Sequence, residues 1–258
     1  MKLFDTHVHL SDAKFQDLRP QVLGNMKAAG VELCIDVACD LRKVQVTRKL
    51  SDENANIYAA YGMHPHYAEA FTEKMLTELA EHMTHEKCVA LGEIGLDYHY
   101  DFSPRDVQRK CFREQLELAL ALKVPVIFHI REAFGDCMEI LRSVRGRGLC
   151  GVMHCYSGSY EVARECMDMG LYIAFGGSLT FSGAHNLREV AAKLPLERVL
   201  LETDCPYLAP VPLRGKLNEP ANIVYVAQQL AKLHGISADD AAQITFKNAV
   251  ELFGINTD

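Results

Sequence analysis

Short apolar runs alternate along this chain with longer stretches of helical periodicity. The runs at 2–8, 31–37, 57–62, 88–93, 124–129, 151–155, 171–175 and 199–203 predict strands. Between them, 14–29, 40–53, 71–85, 104–122, 132–145, 158–169 and 184–194 predict helices, and two more follow at 219–234 and 238–253. Phe112, Leu116 and Ala119 recur at helical spacing and are expected to face the sheet. Ser103-Pro104 offers a capping hydroxyl followed by proline at a first helical position, with Asp106 in the first turn. Ser237 with Asp240 resembles a capping box. Gly30, Gly148 and Gly170 stand where helices give way to strands, as C-terminal caps do.

Strands alternating with helices imply a parallel sheet, and eight is the number that closes a barrel. The expected fold is therefore α/β, a (β/α)8 TIM barrel of metal-dependent hydrolase type. The alternative is an open, doubly wound sheet, but no Gly-x-Gly-x-x-Gly follows the first strand. The 258 residues suit one barrel, so a single domain over 1–258 is expected.

Charge and cysteine usage narrow the function. A net charge of −7 argues against broad coating of nucleic acid, which needs clustered Lys and Arg. It leaves room for an enzyme that grips a strand end through metal and a few cations. The nine cysteines are odd in number and show no pairing pattern, as expected of reduced thiols in a cytoplasmic protein. The first residues lack the apolar core of a signal peptide, and no apolar run is long enough to span a bilayer. The chain is thus expected in the cytoplasm, with no membrane contact and no stable protein partner, as a monomer.

The predicted strand ends carry the candidate chemistry. His7 and His9 alternate along the first strand, so they share a face and could clamp a metal. Further ends deliver His64, Glu93, His129, His154 and Asp204. In a barrel these ends converge on one mouth, where active sites of this fold are built. Imidazoles with carboxylates suit zinc, manganese, iron or nickel better than an all-oxygen calcium cage. His7, His9, Glu93 and Asp204 are assigned to one metal, and Glu93, His129 and His154 to a second, with Glu93 as the bridge. Asp204 could also act as general base toward a metal-bound water. Asp5 and Glu202 share the inward parity and could orient imidazoles. His64 could be a ligand or a phosphate contact. Arg131 could clamp a phosphate or be a plain surface arginine at a helix start. His66 is ambiguous, whereas His82, His85, His99, His185 and His234 read as solvated. Cys155 and Cys205 face away by parity and read as packing. The small residues Gly176-Gly177-Ser178 could leave room for a ligand.

These motifs together resemble the TatD family of metal-dependent deoxyribonucleases, over essentially the whole chain. The resemblance rests on Asp5-Thr6-His7-Val8-His9, Gly62-Met63-His64-Pro65, Gly92-Glu93-Ile94-Gly95-Leu96-Asp97, Phe128-His129-Ile130-Arg131, His154-Cys155-Tyr156-Ser157-Gly158 and Glu202-Thr203-Asp204-Cys205-Pro206-Tyr207. Arg214-Gly215-Lys216-Leu217-Asn218-Glu219-Pro220 also looks like the family's segment after the last strand. It implies a 3′→5′ exonuclease preferring single-stranded DNA and using one or two ions of magnesium, manganese or zinc. His7, His9, Glu93, His129, His154 and Asp204 would be ligands, with His64 and Arg131 near the scissile phosphate. Ile130 departs from the serine common there in the family, and the 98–107 loop varies among relatives. The competing expectation is a metal-dependent hydrolase of another ester or amide, such as an aminoacyl-tRNA deacylase. A barrel that only binds would be marked by a missing ligand, and none is missing.

Overall fold

The computed structural model describes residues 1–256; Thr257 and Asp258, the last two residues of the expected domain, lie outside the described residues. Eight strands form one sheet in chain order: β1 (Leu3–Val8), β2 (Val31–Ala38), β3 (Ile57–Tyr61), β4 (Cys88–Asp97), β5 (Val126–Arg131), β6 (Gly151–Met153), β7 (Leu171–Phe175) and β8 (Val199–Leu201). Each neighbouring pair is parallel. The sheet closes where Val8 bridges Cys205, the His9 N–H donates to the Cys205 carbonyl at 2.9 Å, and the Thr6 hydroxyl donates to the Leu201 carbonyl at 3.0 Å. The result is a (β/α)8 barrel.

The crossovers are α1 (Arg19–Ala28), α2 (Val44–Glu53), α3 (Glu73–His82), α4 (Arg105–Leu122), α5 (Phe134–Ser143), α6 (Tyr160–Asp168) and α7 (His185–Lys193). Then come α8 (Ile223–His234) and α9 (Ala238–Phe253). The helix expected over 14–29 is split. A 3-10 turn at Ala13–Phe15 precedes α1, which begins just before Pro20; proline lacks the N–H to continue a helix from behind. On α4, Phe112, Leu116 and Ala119 are buried as expected, with Phe112 edge-on to Phe128 of β5.

One apolar cluster draws a residue from every strand: Phe4, Val37, Ala60, Ala90, Ile127, Val152, Ala174 and Leu200. Phe246, Ala249 and Phe253 of α9 pack into the same cluster, so the barrel has a solid floor. Burying each large apolar side chain contributes roughly 1.5–3 kcal/mol. The polar strand ends therefore sit on a rigid apolar base.

Candidate metal centre

Glu93 stands at the middle of the mouth. It lies where the β4–β5 register slips, between Gly92, paired with Ile127, and Ile94, paired with Phe128. The extra residue bends the strand, as bulges beside active sites do. Gly62 makes the bend possible, because a methyl group there would lie 2.7 Å from the Gly92 carbonyl carbon. The Glu93 carboxylate is buried and faces two sets of imidazoles. Oε2 is 3.4 Å from His7 Nε2. Oε1 is 2.7 Å from His129 Nδ1, 3.6 Å from His154 Nε2 and 3.8 Å from His64 Nε2. Burial alone would raise the Glu93 pKa, but His7, His64, His129 and His154 outweigh it and hold it well below the usual value.

On the Oε2 side, His7 Nε2 and His9 Nε2 face each other at 3.3 Å, and His9 Nε2 lies 3.3 Å from Asp204 Oδ1. His9 donates Nδ1–H to the Val37 carbonyl at 3.0 Å, which leaves its Nε2 lone pair aimed at the centre. His154 is set the same way, since its Nδ1 meets Glu202 Oε2 at 2.9 Å and its Nε2 points inward. Its ring stacks on His7 with centroids 3.6 Å apart. Lone pairs and carboxylates converging this closely, with the outer ring nitrogens of His9 and His154 already bonded, fit a divalent cation. His7, His9 and Asp204 offer ligand atoms within 4.8 Å of one another, and so do His64, Glu93 and His129. His7 Nδ1 is buried with no hydrogen-bond partner among the described residues.

His64 and His129 behave differently. His64 Nδ1 accepts the His66 N–H at 3.1 Å, so in the neutral ring the proton sits on Nε2. Burial, then the neighbouring His129, holds the His64 pKa well below its ordinary value, so the ring stays neutral. That makes His64 Nε2–H a donor, which weighs for the phosphate alternative and against ligation. His129 is held at both nitrogens, Nδ1 by Glu93 and Nε2 by Asp97 Oδ2 at 3.1 Å. Burial lowers its pKa, but Glu93 and then Asp97 outweigh this and raise it.

Several sequence expectations need correction. Asp5 touches no imidazole of the centre: its carboxylate accepts the Thr203 N–H at 2.8 Å and hydroxyl at 2.6 Å. The β1–β2 register shifts between Asp5 and Val8, which breaks simple alternation. Asp5 therefore fixes the turn that carries Asp204. Cys155 does not face away, because φ of +44° turns it off the strand and brings its sulfur within 4.8 Å of ligand atoms on His154 and Asp204. Asp204 is left-handed too, at +57°. Such conformations cost non-glycine residues about 1–3 kcal/mol and gather at functional sites. The glycine at 177 leaves no room for a ligand, since a methyl group there would lie 2.0 Å from the Leu208 carbonyl oxygen. His85 is not solvated: its ring lies between the Tyr61 hydroxyl at 3.3 Å and Asp52 at 2.8 Å.

Residues not singled out from the sequence also join the centre. The Cys39 thiol lies 3.5 Å from Glu93 Oε2 and 3.8 Å from His9 Nδ1, and burial raises its pKa. Asp97 joins His129 to His66, whose Nε2 is 2.9 Å from Oδ2. The end of β2 marked Cys39 by position, and the Glu93 motif contained Asp97. Arg131 lies at the end of β5, with its guanidinium 4.7 Å over the Tyr100 ring.

A barrel with this mouth is that of a metal-dependent hydrolase. The family model for TatD related DNase matches residues 4–254, and the chain belongs to that family. It is 44% identical to the "Uncharacterized metal-dependent hydrolase YabD" of Bacillus subtilis, over 98% of this chain and all of the relative. It is 33% identical to the "3'-5' ssDNA/RNA exonuclease TatD" of Shigella flexneri, over 98% of this chain and 99% of that one. The solved structure of YJJV, a TatD homolog from Escherichia coli, superposes with a TM-score of 0.93 at 32% identity, covering 98% of both chains.

Proposed function

We propose that this hydrolase cleaves phosphodiester bonds as a 3′→5′ exonuclease preferring single-stranded DNA. The observation that carries this is the two-sided reach of Glu93, with Oε2 toward His7 and Oε1 toward His129 and His154. A bridging carboxylate suits a pair of divalent ions. His7, His9, Asp204 and Glu93 would hold one, and Glu93, His129 and His154 the other. Bound there, zinc, manganese or magnesium supplies Lewis-acid stabilisation of the attacking and leaving oxygens. Asp204 engages imidazoles through Oδ1 and opens partly to solvent. It is ionised at neutral pH, because His9 and His154 outweigh the effect of burial, and can take a proton from the attacking water. His64 Nε2–H donates to a phosphate oxygen, and Arg131 offers a planar fork to the same group. The name of the Shigella relative supports a nucleic-acid substrate. The nine free thiols accord with a cytoplasmic setting, and among the described residues no helix is long and apolar enough to cross a membrane.

The test is to strip the protein with chelator, restore one divalent metal at a time and follow end-labelled single-stranded DNA. Stepwise shortening from the 3′ end should return with metal and fall at least about 100-fold in Glu93→Ala and Asp204→Ala. Metal uptake without cleavage of any oligonucleotide would overturn the nuclease reading. Turnover of carboxylic ester, amide or aminoacyl-tRNA probes would then identify the alternative.

A further inference from the structure

The two most exposed large apolar side chains among the described residues are neighbours, Phe102 at 64% and Tyr100 at 48%. Their rings stack on each other, with centroids 5.2 Å apart and planes 21° from parallel. Both lie between β4 and α4, at the rim of the mouth. Phe102 meets His66 edge-on at 4.8 Å, and His66 lies 4.2 Å from His64. Tyr100 carries the Arg131 guanidinium at 4.7 Å. Among the described residues, that guanidinium pairs with no carboxylate.

The platform is held in place before any ligand arrives. Asp97 Oδ1 accepts the His99 N–H at 3.0 Å and the Tyr100 N–H at 2.9 Å. Asp97 Oδ2 meets His66 and His129, so a single carboxylate positions both the loop and an imidazole of the centre. The Gln108 amide donates to the Asp97 and Ser103 carbonyls, and the Ser103 hydroxyl donates to the His66 carbonyl. Ordering an aromatic platform in advance removes an entropy cost from binding. An isolated pair of flat rings beside a cation suits the face of an unpaired base, whereas duplex bases are stacked and hidden.

We propose that Tyr100 and Phe102 form a stacking platform for an unpaired nucleobase next to the phosphate held by His64 and Arg131. This rests on the phosphodiester reading above. It gives the preference for single strands a physical source, because only an unstacked base can reach the rings.

The test uses the metal-loaded full chain and end-labelled single-stranded oligonucleotides. In turn, the base is removed from each of the two nucleotides flanking the terminal phosphodiester. For the wild type, one of these abasic substrates should lose about 5- to 150-fold in kcat/KM. In Tyr100→Leu/Phe102→Leu the intact and abasic substrates should approach parity, whereas general structural damage would slow both equally. The chain has no tryptophan, so Phe102→Trp adds a single reporter, whose emission should be quenched by the intact oligonucleotide and not by the abasic one. Cleavage with an unchanged base-to-abasic ratio in the double variant, or unquenched Phe102→Trp at saturation, overturns the platform alone. No cleavage of any oligonucleotide with any divalent ion overturns the phosphodiester reading and the platform with it.

Discussion

Glu202 acts on the centre through His154. Oε2 takes the Nδ1 side of the imidazole at 2.9 Å, and Oε1 accepts the Cys155 N–H at 2.6 Å. Burial would lower the His154 pKa, but Glu202, then Glu93, outweighs it and pushes the value up to about 9 in the metal-free protein. A folded pKa above the unfolded one means the proton stabilises the fold. That contribution is complete below the unfolded value of about 6.5 and is lost as pH rises through about 9. The melting temperature of the chelated protein should therefore fall between pH 6.5 and 9. The fall should be shallower in Glu202→Gln, whose neutral amide no longer holds the proton. A metal-free wild type that melts at constant or rising temperature over this window contradicts the assignment. The imidazoles and carboxylates of the mouth were legible from the sequence because strand ends and alternation located them. Asp5 and Cys155 were not, because alternation fails at the β1 register shift and at a left-handed residue. The pairing of Asp97 with His129 was hidden for a related reason: β4 runs four residues beyond the expected end, from Glu93 to Asp97.

Two serines with similar surroundings in sequence have different fates in the helices. Ser237 caps α9, its oxygen accepting the Asp240 N–H at 3.1 Å while its hydroxyl donates to Asp240 Oδ2. Ser103 does not cap α4, whose N-cap is Pro104. Instead the Ser103 oxygen accepts the Glu69 N–H at 3.2 Å, and its hydroxyl ties down the His66 carbonyl. Ser237→Ala should cost about 1 kcal/mol in urea unfolding and leave oligonucleotide turnover intact. Ser103→Ala leaves a partly buried amide without its partner, costing about 1–3 kcal/mol, and loosens His66 beside the aromatic platform. It should therefore also raise KM for oligonucleotides. Equal effects of the two substitutions on KM would refute this division. Local signals place a helix start to within a residue or two, but the partner that claims a hydroxyl comes from another element. The short β6 and β8 show the same limit. Their ladders stop at Met153 and Leu201, and the chain then turns inward at Cys155 and Asp204.

At the scale of the whole molecule, the barrel, its closure and its mouth were readable from the count and order of strands, but the contacts that make the closure were not. Closure depends on pairing between residues nearly two hundred positions apart, such as Thr6 with Leu201. The charge balance bears most directly on substrate capture. A net charge of −7 gives a polyanion no long-range attraction, so affinity must come from the centre and from local cations. Among the cations that stand on aromatic rings near the mouth are Arg131 over Tyr100 and Lys14 over Tyr207, whose ring is 6.1 Å from His9. If these two neutralise phosphates, log kcat/KM on a single-stranded oligonucleotide should fall with log salt at a slope near about −1.4. Lys14→Ala and Arg131→Ala should each make that slope shallower by about 0.7. The measurement is kcat/KM at several potassium chloride concentrations with the divalent ion held fixed. A slope steeper than about −4 would need roughly six neutralised phosphates. That would mean a basic track along the barrel, so that capture, and not only cleavage, extends well beyond the strand end. A slope near −1.4 confines recognition to the terminal nucleotides, as the proposed exonuclease activity requires.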